Sequence, residues 1–241
     1  LLLRRSCVHR ILEQWEAAYR RPDGAIIAFF DPGGNALRVA IGLKSHSGWA
    51  ALVALAQNRD ELLVLHRCRM ECAGVLDGKW ARHPYHAAQE LAPEDARKFV
   101  EKEQSLARAC ASARLREVVD RFREDGQEVV ACCVVAGEAM PPWRLDEILS
   151  MHVRMHKAEG SLYREVLEHA ANECGLKTLH VPDKRLEEMA SDKLGCARAE
   201  IASTIGGLGK RAGPPWGKDQ KEAALAAWMA LCAAQSHQTK G

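Results

Sequence analysis

Long apolar runs are missing from this chain of 241 residues. None reaches the ~18 consecutive apolar positions of a membrane span, so no membrane role is expected. A strong charge of one sign is missing too. The formal net charge is +2, too small for the chain as a whole to attract nucleic acid without specificity, although local basic patches stay open. A disulfide framework is also absent. The nine cysteines are odd in number and scattered, and several sit inside apolar stretches (Cys132, Cys133, Cys232), the pattern of reduced, packed thiols and of a cytoplasmic setting. The opening LLLRR puts its charges after too short an apolar run for a secretory signal, and without a Met at position 1 the chain is expected to be a fragment or to have a trimmed start. There is no Gly-x-Ser-x-Gly elbow and no Rossmann glycine pattern after a strand, which leaves nucleophilic hydrolysis and dinucleotide chemistry without support. Gly206-Gly207-Leu208-Gly209-Lys210 has neither the spacing nor the preceding strand of a phosphate loop and is expected to be a flexible helix end. Internal repeats and low-complexity segments are absent.

What is present is an ordinary soluble composition, 47% apolar and 27% charged, able to build a core. The strongest local signal is Val129 to Glu138, VVACCVVAGE. A continuous apolar run of this length predicts a strand buried on both faces, with helices on both sides. It ends on a carboxylate, at the kind of strand end where open α/β sheets collect ligands. Before it, Leu37 to Leu43, Trp49 to Ala56 and Leu62 to Cys72 predict three strands. The turns Lys44 to Gly48 and Gln57 to Asp60 between them are short enough for an antiparallel meander. A loop with Gly74, Gly78, Pro84 and Pro93 leads to a long charged helix, Glu94 to Glu124. After the buried strand come a helix over Leu145 to Cys174, a strand over Leu176 to Val181, and helices over Lys184 to Leu194, Ala197 to Leu208 and Lys218 to Ala234, the last preceded by Gly213-Pro214-Pro215. Hairpins followed by alternating helix and strand give a mixed sheet with helices on both faces. Residues 1–36 are expected to form a loosely ordered extension, with a helix from Cys7 to Arg20, a short strand from Ile26 to Phe30 and a turn at Asp31 to Gly34. Residues 37–241 are expected to form the folded domain.

This order of elements resembles the ribonuclease H-like superfamily, and within it RuvC-like Holliday-junction resolvases. The resemblance runs from Leu37 to about Ala234. Glu138 falls where such nucleases carry a carboxylate at the end of the fourth strand. Asp219 and Glu222, in GKDQKEAALAAW, resemble the paired carboxylates that open the last helix, and their gap of three puts both on one helix face. The resemblance implies two-metal hydrolysis of a phosphodiester, with Mg²⁺ or Mn²⁺ held by Glu138, Asp219 and Glu222, and work on structured nucleic acid as a homodimer. One position departs from the pattern. Where the family's first strand ends in a metal-bridging Asp, the stretch AIGLKSHSG has Lys44. An ammonium has donors and no acceptor, so it cannot ligate the ion. It is expected instead to pair with Glu138, Asp219 or Glu222 and take the metal's place, or to contact phosphate. His46 is a candidate fourth ligand, which would favour a transition metal. Asp31, in FFDPGG, is an alternative first-strand Asp, at the cost of one strand too many.

Further residues carry chemistry. On the helix over Leu145 to Cys174, a 100° step puts Ile148, Met155, Leu162, Tyr163 and Val166 toward the core, with His152 and Glu159 inside that sector and His156 at its edge. Buried polar groups need partners, so these three are either a ligand or acid/base cluster or a polar network that fixes packing. His66, Cys68, Cys72, His83 and His86 are zinc-ligand types in a spacing that matches no closed zinc motif, and ordinary strand and loop roles are expected for them. Lys210, Arg211, Lys218 and Lys221, with Trp216, gather ahead of Asp219. They are either a solvated basic loop or a contact for a phosphate backbone.

Three functions follow. The first is a divergent RuvC-like, metal-dependent endonuclease with an altered or degenerate site. The second is a non-catalytic ribonuclease H-fold protein that binds nucleic acid or a protein, with Lys44 neutralising the old site. The third is a small-molecule enzyme that uses the His152, His156 and Glu159 face over a closed pocket.

Overall fold

The computed structural model of the chain describes residues 36–58, 61–73 and 82–235. The expected helix from Cys7 to Arg20, the strand from Ile26 to Phe30 and the turn carrying Asp31 lie outside the described residues, as do Gly74 and Gly78.

Five strands form one sheet in the order β3-β2-β1-β4-β5. They are β1 (Arg38–His46), β2 (Trp49–Asn58), β3 (Glu61–Glu71), β4 (Glu128–Ala136) and β5 (Lys177–Pro182). β1, β2 and β3 are an antiparallel meander, while β4 and β5 run parallel to β1. This is the mixed sheet, three antiparallel strands followed by alternating helix and strand, that the order of elements implied. The helices are α1 (Pro84–Ala88), α2 (Pro93–Glu124), α3 (Leu145–Leu149), α4 (His152–Glu173), α5 (Leu186–Leu194), α6 (Arg198–Ala212) and α7 (Lys218–Gln235).

Strand periodicity sorts the core into two layers. Val39, Ile41 and Leu43 of β1 and Cys132, Val134 and Ala136 of β4 face α2 and α4, where Phe122, Leu115, Met155, Tyr163 and Leu167 are fully buried. Ala40 of β1 and Ala131, Cys133 and Val135 of β4 pack with α5, α6 and the alanine-rich α7. Each large aliphatic side chain so buried contributes about 1.5–3 kcal/mol. All eight described cysteines are free thiols. Among the described residues no helix is long and apolar enough to cross a membrane.

Several expectations need correction. β1 runs on to His46, so Lys44 is a strand residue. The turn is only Ser47-Gly48, with Gly48 at φ 81°, a left-handed backbone that glycine adopts without strain. The expected loop after β3 contains α1, started by Pro84, whose fixed φ suits the first helical turn. The expected single helix from Leu145 is two helices. The break at Ser150 and Met151, where Met151 is extended, resets the helical phase. α6 continues to Ala212, so the glycine-rich stretch before Lys210 lies inside a helix and is no loose end. Gly209 is needed there, since a Cβ on it would sit 2.1 Å from the Trp216 ring. β4 stops at Ala136, leaving Glu138 beyond the strand.

Candidate functional site

The carboxyl edge of β1 and β4 is built by one close contact. Gly42 has no side chain, and α7 lies directly on it. A Cβ there would be 1.8 Å from the Ala223 carbonyl oxygen and 2.6 Å from the Ala227 nitrogen. Lys44 and His46 follow on the same face at the period of two. Moving the same way, back along α7 toward its start, come Glu222 and Asp219. The Lys44 ammonium stands 3.3 Å from Glu222 Oε2, and His46 Nε2 stands 3.0 Å from Asp219 Oδ1. The gap of three between the two carboxylates thus matches the gap of two between the strand residues.

Lys44 also spans the end of β4 to reach Asp183, just past β5, at 3.6 Å. Its side chain is only 10% exposed. Lys218 approaches the other Glu222 oxygen at 3.6 Å. The His46 ring stacks on Trp49 with centroids 4.2 Å apart, and the Arg69 guanidinium lies 3.7 Å from the Trp49 ring centre. α7 is started by Gln220, whose side-chain oxygen accepts from the Gly217 N–H at 2.9 Å, as at the third position of a capping box. The approach to α7 is pinned by Arg67. Its guanidinium donates to the carbonyls of Gly213 at 2.8 Å and of Ala212 and Pro214 at 2.9 Å, and to that of Pro215.

The divalent ion that the resemblance implies does not fit this arrangement. The two carboxylates nearest the expected seat, Glu222 and Asp183, face an internal ammonium, which repels a second cation and offers no ligand atom. Glu138, expected to complete the set, is exposed and makes no ion pair among the described residues. Lys44 therefore pairs with Glu222, as expected, but with Asp183 in place of Glu138 or Asp219. Asp183 was legible only as the first acid after the strand beside β4. Of the expected basic residues, Lys210 and Arg211 at the end of α6 and Lys218 and Lys221 at the start of α7 are exposed. Arg211 also donates to the Leu62 carbonyl at 3.0 Å. Trp216 is committed to packing, with Nε1 donating to the Ile205 carbonyl at 3.1 Å.

A second cluster forms on the opposite face of the sheet, at the start of α4. Glu159 falls on the core stripe with Met155, Leu162 and Tyr163 and is 1% exposed. Its two oxygens meet His83 Nδ1 at 2.8 Å and His86 Nδ1 at 2.7 Å, and the His86 backbone N–H lies 3.4 Å away. His152 and His156 were placed in or beside the buried sector, but both are exposed: His152 is the first residue of α4 and His156 lies one turn on. They cross each other edge to face at 4.4 Å, and the His86 ring lies 5.0 Å from His152 and 4.6 Å from His156. Desolvation, then the neighbouring His86 and His152, hold the His156 imidazole below its usual pKa. The cluster opens to solvent at His152 and His156. His83 and His86 were set apart in sequence as loop residues. The signal that joins them is Pro84, which starts a helical turn and puts the two on adjoining positions facing α4. His66, Cys68 and Cys72 do not enter the histidine cluster.

No family model matches this chain, and no curated protein matches it. Among solved structures it is similar to Thermus thermophilus RuvC, with 14% identity and a TM-score of 0.47 over 83% of this chain and 96% of that one. It is also similar to T. thermophilus RuvC in complex with Holliday junction substrate, with 16% identity and a TM-score of 0.46 over the same shares.

Proposed function

We propose that this nuclease-fold chain binds the phosphate backbone of structured nucleic acid at the carboxyl edge of β1 without a divalent ion, and does not cut it by two-metal hydrolysis. One observation carries this: the Lys44 ammonium between Glu222 and Asp183. Bare carboxylates at such an edge would repel phosphate, and a metal-dependent nuclease removes that repulsion with its ions. Here Lys44 neutralises the carboxylates from within, and Lys218 adds a second ammonium to Glu222. The exposed Lys210 and Lys221 then remain to meet phosphate. The mixed sheet and the carboxylates at its edge support a nuclease-like fold for this role, while Lys44 among them speaks against metal chemistry there.

The test is fluorescence anisotropy with a labelled four-way DNA junction, in EDTA and in Mg²⁺, with product analysis on the same samples. Binding should be the same in both buffers and weaken with salt. Lys221→Ala should lower the slope of log K against log salt by about 1. No cleavage should appear. Cleavage that needs Mg²⁺ or Mn²⁺ and disappears in Asp219→Asn would establish the nuclease instead. Absence of binding in both buffers would exclude the nucleic-acid role.

A further inference from the structure

We propose that His86, His152 and His156 form a binding site for a first-row transition ion of the Zn²⁺ class, with Glu159 and His83 as its outer support. This is separate from the β1 edge and needs none of its residues.

The donor set comes first. One nitrogen from each of the three imidazoles lies within 4.8 Å of the other two. A triangle with sides no longer than that has a point about 2.8 Å or less from every corner. Side-chain shifts of under ~1 Å then reach the 2.0–2.1 Å of a Zn–N bond. His152 and His156 are one helical turn apart on α4, so they present their rings side by side. His86 closes the set from α1.

The second observation is the state of His86. Its Nδ1 lies 2.7 Å from Glu159, a carboxylate that is 1% exposed. A carboxylate oxygen accepts, so the neutral imidazole tautomer that suits this contact has its proton on Nδ1 and its lone pair on Nε2. Nε2 is buried and has no hydrogen-bond partner among the described residues. A buried acceptor left without a donor is costly, and an ion shared with His152 and His156 would satisfy it. Carboxylate, imidazole and ion in that order is the usual outer support of a metal-binding histidine, because the carboxylate fixes the tautomer and raises the basicity of the ligand nitrogen.

A rival set, His83, His86 and Glu159, also brings three donor atoms together. There the spacings from nitrogen to oxygen are 2.7 and 2.8 Å, which are hydrogen-bond lengths with a proton between the atoms. Ligand atoms around one ion stand farther apart, so we assign His83 to the support.

The ligands set the metal. Three neutral imidazoles favour Zn²⁺, Co²⁺, Ni²⁺ or Cu²⁺ over Mg²⁺ and Ca²⁺, which prefer oxygen. With three protein ligands and two of them exposed, the fourth position faces water, as in open zinc sites.

The test uses tag-free full chain with its thiols alkylated, since nine cysteines would also take zinc. Zn²⁺ binding is followed by calorimetry, and Co²⁺ by its visible bands. One ion per chain is expected, with Co²⁺ bands of a four- or five-coordinate nitrogen site. His152→Ala and His156→Ala are exposed substitutions that should leave the circular dichroism unchanged and weaken binding by about 100-fold or more. His83→Ala, an outer change, should weaken it by about 10- to 100-fold. Lys44→Ala should have no effect. Absence of saturable Zn²⁺ and Co²⁺ binding to the wild type would overturn the proposal. So would full binding in the His152→Ala, His156→Ala double variant, and so would a greater loss in His83→Ala than in either of the His152→Ala and His156→Ala variants.

Discussion

Replacing Lys44 by Asp tests directly whether the ammonium stands in for a metal. The ammonium lies 3.3 Å from Glu222 and 3.6 Å from Asp183. At an effective dielectric of ~20 each contact is worth roughly 5 kcal/mol before desolvation is counted. Desolvating a lysine that is 10% exposed takes back most of that, and Asp183, at 41% exposed, is partly screened. The net contribution is about 1–3 kcal/mol. Lys44→Asp removes it and adds repulsion among three carboxylates, for a total cost of about 2–4 kcal/mol. For a chain of this size, that lowers Tm by roughly 5–15 °C in EDTA. The same substitution assembles the oxygen-only cluster that Mg²⁺ favours. Mg²⁺ at a hundredfold excess over its Kd should restore about 2.7 kcal/mol, much of the loss. The assay is thermal denaturation of wild type, Lys44→Asp and Lys44→Met, each in EDTA and in Mg²⁺. Mg²⁺ is the right probe because three imidazoles take it poorly. Only Lys44→Asp should respond to the ion. A variant as stable as wild type in EDTA would show that Lys44 is not the counter-ion of this edge. A Tm rise of equal size in the wild type would show that an ion fits beside Lys44, and the argument for a metal-free edge would fail.

Gly42→Ala should cost at least about 3 kcal/mol, measured by chemical denaturation, because the new methyl would meet the α7 backbone at 1.8 Å and backbone cannot turn aside. Arg67→Ala should cost about 2–3 kcal/mol by freeing four carbonyls between Ala212 and Pro215, and Arg67→Lys should not rescue it, since one ammonium cannot span four acceptors. Burial pushes the His66 imidazole down from 6.5 to about 4. The folded chain therefore binds fewer protons than the unfolded one in that window, and the stability this group supports is full above pH 6.5 and lost as pH falls toward 4. About 2 kcal/mol should disappear between pH 7 and pH 5, and urea melts of His66→Gln should show a flatter slope there.

The sheet was legible because its signals are local. Apolar runs and short turns gave all five strands in order, though not α1 or the split between α3 and α4, and Gly213-Pro214-Pro215 marked the break before α7. Pairing was legible only where short turns imply an antiparallel meander; the parallel pairing of β1 with β4 joins strands far apart in the chain. The α3 and α4 break was not legible, because nothing between Leu149 and His152 is a glycine or proline. The 100° step within α4 itself, from Met155, Leu162 and Val166, puts His152 on the core stripe, but as the first residue of that helix it is exposed. Glu159, deep enough in α4 to fall on the stripe with Leu162 and Val166, was placed correctly by the same step. The partners of Lys44 show another limit. Glu222 could be reached from spacing along α7, whereas Asp183 required knowing that β5 lies beside β4 and that a lysine can span the strand between.

The two clusters share an edge for a reason of topology. α4 returns from the end of β4 to the start of β5, so its first turn must sit over the carboxyl end of β4. α7 lies along β1 in the opposite direction, so its first turn sits over the carboxyl end of β1. Two helix starts therefore flank one sheet edge from opposite faces, with the Ser47-Gly48 turn between them. A Cβ on Gly48 would strike the side chain of Arg82, the residue before His83, while His46 at the other end of the same turn meets Asp219. Arg82 also lies 3.4 Å from Glu71, and Glu71 accepts from Arg69, which covers Trp49, the stacking partner of His46. A chain of packed charges and rings thus runs from the lysine edge to the histidine cluster. Residues on opposite faces of a sheet are normally insulated by it, but here the hairpin turn at its rim joins them. Both sites hold their carboxylates against nitrogen groups of the chain, the Lys44 ammonium and the His46 imidazole on one face and the His83 and His86 imidazoles on the other. An ammonium has no lone pair to offer a cation, whereas on the α4 face His152 and His156 stand exposed beside His86.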